Sequence, residues 1–337
     1  MERKPAKKGK VFVTGGTGFV GSNVVRVLRE KGYPVRLLVR ATSKFDRLQG
    51  LDFETHVGDI LNYDSIEAGM DGCDFCLHLA CISSWDDIGS PRMKQVAFEG
   101  TRNVLNAAKK LIIRFVFVSS AAAVDGSFKP MINDETARFT LHGSRCSYSI
   151  AKHEAEAIVL KEAANMPAGA VIVNPGEIYG PDDHAFITAG NIRDMAKDWP
   201  VLACTGGTAI VHVDSIARGI IGAMEKGHSG ERYILGGPNL TIPELAKTVR
   251  KVTRRKVPIL TFPGVLALML VRMLAFLHLP SPVHPALMEY ACRYWFVDDV
   301  KARLELGYGS AEEGYKYQDA EEIIASVVGW LEEAGHI

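Results

Sequence analysis

Short apolar runs alternate along the first half of the chain with stretches whose apolar positions recur every three to four residues. Val11–Thr14, Val35–Val39, Phe53–Val57, Asp74–Leu79, Phe115–Ser119 and Ala170–Val173 read as strands. Their near-continuous apolarity is that of strands covered on both faces. Between them, Val20–Lys31 places Val20, Val24, Val25, Val27 and Leu28 on one helical stripe and stops at Gly32. Further helices are predicted around Tyr63–Met70, over Met93–Lys109 and over Ser147–Glu162. Strand–helix alternation of this kind predicts an α/β fold: a doubly wound parallel sheet with helices on both sides.

Past Pro175 the pattern loosens. Gly, Pro and Asp cluster at 176–183 and 236–243. Strands are predicted at Val211–Val213 and Arg232–Leu235, and helices at Ile216–Lys226, Ile242–Thr253 and Ala320–Ala334. Residues 1–175 therefore read as a nucleotide-binding part. Residues 176–337 read as a smaller substrate-binding part interleaved with it across a soft boundary. Val265–Leu279 is apolar apart from Arg272 and His278 and is flanked by Pro263 and Pro280. A bilayer span needs about 20 apolar residues, so this segment is expected to be a buried or cleft-covering helix. A helix lying on a membrane surface is the alternative.

Composition narrows the class. The chain has 337 residues, with 39 Lys+Arg against 39 Asp+Glu. No net field draws it to nucleic acid. Six cysteines are scattered, and the Cys73–Cys76 pair has no second pair or His at metal-like spacing. They read as reduced core cysteines, with no metal expected. Met1–Lys10 is basic and lacks an apolar stretch, which points to no secretory signal and a cytoplasmic protein.

Lys10–Gly21 reads KVFVTGGTGFVG, a strand running into Gly15, Gly18 and Gly21 and then a helix. The first glycine makes a tight turn, the second admits a pyrophosphate, and the third lets helix and strand pack closely. Helix N–H groups then face the phosphates. This is a Rossmann-type dinucleotide site, with Gly15, Thr17, Gly18, Phe19 and Val20 as its loop contacts. NAD-specific sites place a carboxylate at the end of the second strand. Here that strand ends in Arg40, with Lys44 close behind. An arginine fork suits a 2′-phosphate, so NADP(H) is the preferred cofactor, with NAD(H) tolerated as the alternative. Asp59 and Ile60 after the third strand, and Leu79 and Ala80 after the fourth, are expected along the cofactor. His78 reads as a packed strand-end histidine.

Tyr148 and Lys152 stand four residues apart and share a helix face. A nearby cation is expected to lower the phenol's pKa. Tyr148 then exchanges a proton with a carbonyl or hydroxyl oxygen while hydride moves, and Lys152 holds ribose hydroxyls. Ser119 and Ser120 end the fifth strand at the sheet's carboxyl edge, where a hydroxyl can orient substrate.

With these residues in hand, the chain resembles the extended short-chain dehydrogenases/reductases. The carrying motifs are TGGTGFVG at 14–21, GDI at 58–60, HLA at 78–80, VSS at 118–120, YSIAK at 148–152, NPGEIYGP at 174–181 and HVD at 212–214. Together with KARLELGY at 301–308, they most resemble the branch of dihydroflavonol 4-reductases, cinnamoyl-CoA reductases and 3β-hydroxysteroid dehydrogenases. The resemblance implies Ser120, Tyr148 and Lys152 as the catalytic set, and Pro175 and Gly176 against the nicotinamide. Two departures stand out. The family's N-V-x-G-T reads Ala97-Phe98-Glu99-Gly100-Thr101, and Ala121–Ala123 follow Ser120 where sugar dehydratases carry acids.

Three chemistries compete: reduction or oxidation of a ketone, aldehyde or alcohol; nucleotide-sugar epimerisation; and sensing of NADP(H) without turnover. The intact Tyr148/Lys152 pair disfavours the third. Asp182-Asp183-His184 after YGP would repel a sugar diphosphate, which leaves epimerisation as the alternative to a reductase. The substrate is expected to be a small hydrophobic carbonyl or alcohol. Ser83, Trp85, Tyr179 and His184 are expected to line its pocket, with Ser84, His142, Cys146 and Phe186 as further candidates. The stripe Ala151, Ala155, Ile158 and Val159 permits a homodimer but equally suits core packing.

Overall fold

The computed structural model describes residues 8–82, 84, 87–280, 285–310 and 317–337. Its strands are β1 (Val11–Thr14), β2 (Val35–Val39), β3 (Glu54–Val57), β4 (Phe75–His78), β5 (Arg114–Val118), β6 (Ile132–Asn133), β7 (Ala170–Pro175), β8 (Glu177–Tyr179), β9 (Val201–Cys204), β10 (Gly207–His212), β11 (Arg232–Leu235), β12 (Asn239–Thr241), β13 (Ile259–Phe262) and β14 (Tyr294–Val297). Its helices are α1 (Phe19–Glu30), α2 (Tyr63–Met70), α3 (Pro91–Gln95), α4 (Thr101–Lys110), α5 (Ser147–Ala163), α6 (Ala189–Lys197), α7 (Val213–Lys226), α8 (Ile242–Val252), α9 (Gly264–Phe276), α10 (Pro285–Ala291), α11 (Val300–Leu306) and α12 (Ala320–Glu333).

Seven strands pair in parallel in the order β11-β7-β5-β4-β1-β2-β3. Side chains alternate across each strand, and both faces are covered, so both sets are apolar. Val11 and Val13 of β1 and Val116 and Val118 of β5 pack with α1 and α7 on one face. Phe12, Phe115 and Phe117 pack with α2, α4 and α5 on the other. The order of connection reverses between β1 and β4, which opens a crevice at their carboxyl ends.

The two halves exchange segments. β11 joins the seven-stranded sheet from the second half, while β6 from the first half joins the second sheet, ordered β12-β10-β14-β6 with β8 beside β10. A β9/β13 ribbon stands apart. Helices α6, α8 and α12 enclose a further core with Ile210 of β10. The helix predicted over Met93–Lys109 is broken. Ser90 caps α3, its hydroxyl accepting from the Met93 N–H at 3.0 Å. A five-residue π-helical turn at Val96–Gly100 then leads into α4. That turn falls on the stretch where the family's asparagine is replaced, and π-turns recur at functional sites.

Ala155 and Val159 of α5 are buried against the sheet and Ala151 against Met93 and Ala97, so core packing accounts for this stripe. One expectation is corrected. The segment expected as a buried or cleft-covering helix is α9, which buries only Gly264, Leu268 and Val271. Among the described residues no helix is long and apolar enough to cross a membrane.

Candidate active site

The crevice is built first by glycine. Gly15 has φ +74°, and a Cβ there would lie 2.7 Å from the Ala80 nitrogen, so the turn after β1 presses against the end of β4. The Gly18 N–H donates to the Gly15 carbonyl at 3.1 Å, and Gly18 caps α1 with no side chain over the helix end. At Gly21 a Cβ would sit 2.1 Å from the Gly15 oxygen, so helix and turn touch backbone to backbone. The first N–H groups of α1, at Phe19 and Val20, are thus presented beside a bare backbone cradle with Thr17 at its rim. This arrangement fits a pyrophosphate. The segment after β8 folds back over it: a Cβ at Gly180 would lie 3.6 Å from the Phe19 ring, and the Arg47 Nε donates to the Asp182 carbonyl at 3.1 Å.

Arg40 and Lys44 are exposed past the end of β2, in a turn closed by the Ser43 N–H on the Arg40 carbonyl at 2.9 Å. No carboxylate occupies that strand end. Asp59 is half-buried, and its Oδ1 accepts from the Leu61 N–H at 2.9 Å. The Ile60 carbonyl accepts from the Asn103 amide at 3.1 Å, which ties this loop to α4. Leu79 and Ala80 line the β4 side of the crevice, and Pro175 and Gly176 close the end of β7. The Gly176 N–H bonds the Leu235 carbonyl at 3.0 Å.

His78 is fully buried. Its Nδ1 is 2.7 Å from the Thr14 Oγ1 and its Nε2 is 3.1 Å from the Thr101 Oγ1. The ring joins β1, β4 and α4 and is structural. Burial, and secondarily the Lys152 charge, push its pKa from 6.5 down to about 3. The unfolded chain therefore takes up a proton that the folded protein refuses, and stability falls as pH drops below 6.5 toward about 3. The loss from this one group is at most about 1.4 kcal/mol per pH unit. We expect His78→Gln to flatten the difference between urea melts at neutral and mildly acid pH. An unchanged slope would remove His78 from the account.

The catalytic candidates converge on α5 and the end of β5. Tyr148, Lys152 and Glu156 repeat every four residues along one face. Lys152 is 3% exposed, with its Nζ donating to the Val118 carbonyl at 2.8 Å and standing 4.6 Å from the Phe117 ring centre. Among the described residues no carboxylate pairs with it. A buried ammonium without a counter-charge is costly, and its two remaining donors suit the hydroxyls of a bound ribose. Ser120 caps a short 3₁₀ turn, its Oγ accepting from the Ala122 N–H at 3.2 Å. Its hydroxyl also acts on the Tyr148 phenol, tending to lower its pKa. Ser119 Oγ is buried without a hydrogen-bond partner among the described residues.

The Tyr148 phenol departs from expectation. Desolvation pushes its pKa well above the ordinary tyrosine value, the Cys81 thiol and Tyr290 push the same way, and the Ser120 hydrogen bond offsets only part. Lys152 is not among the groups that shift the phenol, and its ammonium donates to the Val118 carbonyl. The phenol stays protonated at neutral pH.

Sequence reasoning missed the support behind this trio. Glu156 is 1% exposed, pairs with Arg232 at 3.2 Å and accepts from the Asn174 amide at 2.5 Å. The same amide donates to the Ser120 carbonyl at 2.9 Å. Extending the four-residue spacing by one more turn would have found Glu156. The hydroxyl of Tyr290 on α10 accepts from the Ser149 N–H at 3.2 Å, across a sequence separation that gives no local signal.

Other expected residues lie elsewhere. Tyr179 is fully buried among α6, α8 and α12, with its hydroxyl on Glu177 at 2.8 Å, so it is core and not a pocket wall. His184 is exposed, edge-on to Trp330 at 5.6 Å, and Phe186 packs on the same Trp330. Asp183 is buried, its Oδ2 accepting from the Thr188 and Ala189 N–H groups at 2.9 and 3.0 Å at the start of α6. It is therefore occupied with the start of α6, while Asp182 beside it is exposed. Phe139 stacks on His153 at 3.9 Å and meets His142 edge-on at 4.9 Å. Cys146 is buried beside Phe139 and Leu141. Ser83 and Trp85 lie outside the described residues.

The profile of the NAD-dependent epimerase/dehydratase family matches residues 11–236. A relative from Synechocystis sp., provisionally named a dihydroflavonol 4-reductase, is 32% identical over 97% of this chain and 95% of its own. A 3-beta-hydroxysteroid dehydrogenase from Mycolicibacterium neoaurum is 28% identical over 89% of this chain and 87% of its own. The crystal structure of gox2253 superposes with a TM-score of 0.84 at 30% identity, covering 98% of this chain and all of that one.

Proposed function

This chain belongs to the NAD-dependent epimerase/dehydratase family of extended short-chain dehydrogenases/reductases, and on that footing we propose that it is an NADPH-dependent reductase of an apolar ketone or aldehyde. The nicotinamide cofactor follows from the family; the choice of NADP(H) and of substrate is our reading. A bound nicotinamide supplies the hydride. Tyr148 donates the proton to the carbonyl oxygen, Ser120 orients that oxygen through its hydroxyl, and Lys152 holds ribose hydroxyls. The observation that carries this reading is geometric: Tyr148 and the buried Lys152 share one face of α5, and Ser120 stands at the end of β5 where the Lys152 ammonium meets the Val118 carbonyl. Ala121 and Ala123 are buried next to Ser120, and Asp125 is held by Thr140 at 3.0 Å. Among the described residues, then, no free carboxylate stands by Ser120 for water loss. Names of relatives such as the steroid dehydrogenase support a large apolar substrate. We assign nucleotide binding to residues 1–175, substrate selection to residues 176–337, and a reducing, cytoplasmic setting in keeping with six free cysteines.

The test is a panel of apolar ketones, aldehydes and UDP-sugars offered with NADPH. Net NADPH loss on an apolar carbonyl supports the proposal. Isomerisation of a UDP-sugar without net loss makes the protein an epimerase. A second test addresses the cofactor. Arg40→Gln is expected to weaken NADPH about 10-fold or more, the worth of a charged hydrogen bond, and to leave NADH unchanged in a fluorescence titration. Equal effects on both would refute the role given to Arg40.

A further inference from the structure

Helix α9 has one charged residue, Arg272, in its thirteen. It buries Gly264, Leu268 and Val271 in a small core with Cys204, Met288 and Cys292. Most of the rest faces outward: Leu266 is 62%, Met269 61%, Met273 51% and Phe276 81% exposed. Apolar surface of this extent on one helix marks an interaction site, because a helix apolar all round is normally enclosed. The ribbon leading into it is equally uncovered at Leu202 and Leu260, register partners that are 63% and 51% exposed.

Charge identifies the occupant. From Leu245 to Met288 there is no Asp or Glu, in a chain that carries 39 of them, while seven Lys and Arg stand in that stretch, three of them consecutive at 254–256. Glu321 answers Lys251, and Glu289 answers Arg272 at 2.8 Å. Arg254 and Lys256 stay exposed at the start of the ribbon. A second copy docked through the same face would bring one acid-free basic segment against another. A bilayer with anionic headgroups matches both the apolar face and the positive flank. We propose that α9, with the ribbon and the Arg254–Lys256 run, docks reversibly on an anionic lipid surface, the helix lying in the headgroup plane rather than crossing the membrane.

The experiment is co-sedimentation of the full-length protein with vesicles of phosphatidylcholine alone or with about one third phosphatidylserine. We expect binding to the anionic vesicles that weakens with salt, at least about 30-fold tighter than to the neutral ones. Leu266→Glu/Phe276→Glu is expected to abolish it. Arg254→Gln/Lys256→Gln should weaken it about 30-fold on anionic vesicles alone, at roughly 5-fold per charge. These side chains are exposed, so unchanged NADPH binding and circular dichroism will show that the fold is intact. Three results overturn the proposal: no binding to either vesicle, binding indifferent to Leu266→Glu/Phe276→Glu, or a dimer in solution that Phe276→Glu separates.

Discussion

Tyr148→Phe is expected to lower kcat by about 100- to 10,000-fold, the usual worth of a positioned acid–base group. NADPH affinity should change little, because the phenylalanine ring preserves the packing of α5 and removes only the hydroxyl shared with Ser120. The split between kcat and cofactor affinity is the diagnostic part, since a folding defect would move both. The raised pKa adds a second expectation. Reduction by the wild-type protein should not lose activity through neutral pH for want of the phenol's proton. Any alkaline loss from this group should lie above the range of an ordinary tyrosine. A Phe variant retaining more than about a tenth of kcat would place the proton donor elsewhere.

Gly21→Val is expected to have the largest effect on cofactor binding. A Cβ at this position lies 2.1 Å from the Gly15 oxygen and 2.8 Å from the Gly15 carbon and the Gly16 Cα, all of them backbone atoms that no side-chain rotation can move. Either α1 retreats from the turn or the turn opens, and both disturb the N–H groups facing the phosphates. Overpacking costs about 1–3 kcal/mol of stability. The loss in NADPH affinity should be at least about 100-fold, or ~2.7 kcal/mol. Urea melts followed beside a fluorescence titration separate the two. Affinity within a few-fold of wild type in a folded variant would mean the cofactor does not use this loop.

The α/β sheet and its glycine loop were legible because their signals are local. Apolar runs of four to six residues and a helix stopped by glycine need no knowledge of distant partners. The family resemblance rested on the same motifs. The second sheet was largely illegible. β6, β8 and β12 have two or three residues each and exist only through partners far along the chain, as when Phe296 pairs with Ile132. Tyr179 looked like a pocket residue by its motif, yet lies in a core that α8 and α12 complete from residues 242 onward. The direction of the Tyr148 shift needed three dimensions, because spacing places Lys152 on its face but only the fold sets the desolvation that raises the phenol. α9 was legible as a helix; its exposure was not, since an apolar pattern does not say what covers it.

Transfer of deuteride from the nicotinamide ring of labelled NADPH tests the central claim most directly. The account predicts one deuterium in each alcohol formed, one oxidised cofactor released per turnover, and loss of both in Tyr148→Phe. Deuterium retained on the cofactor while a sugar nucleotide inverts would contradict it, because that is the signature of a hydride lent and returned.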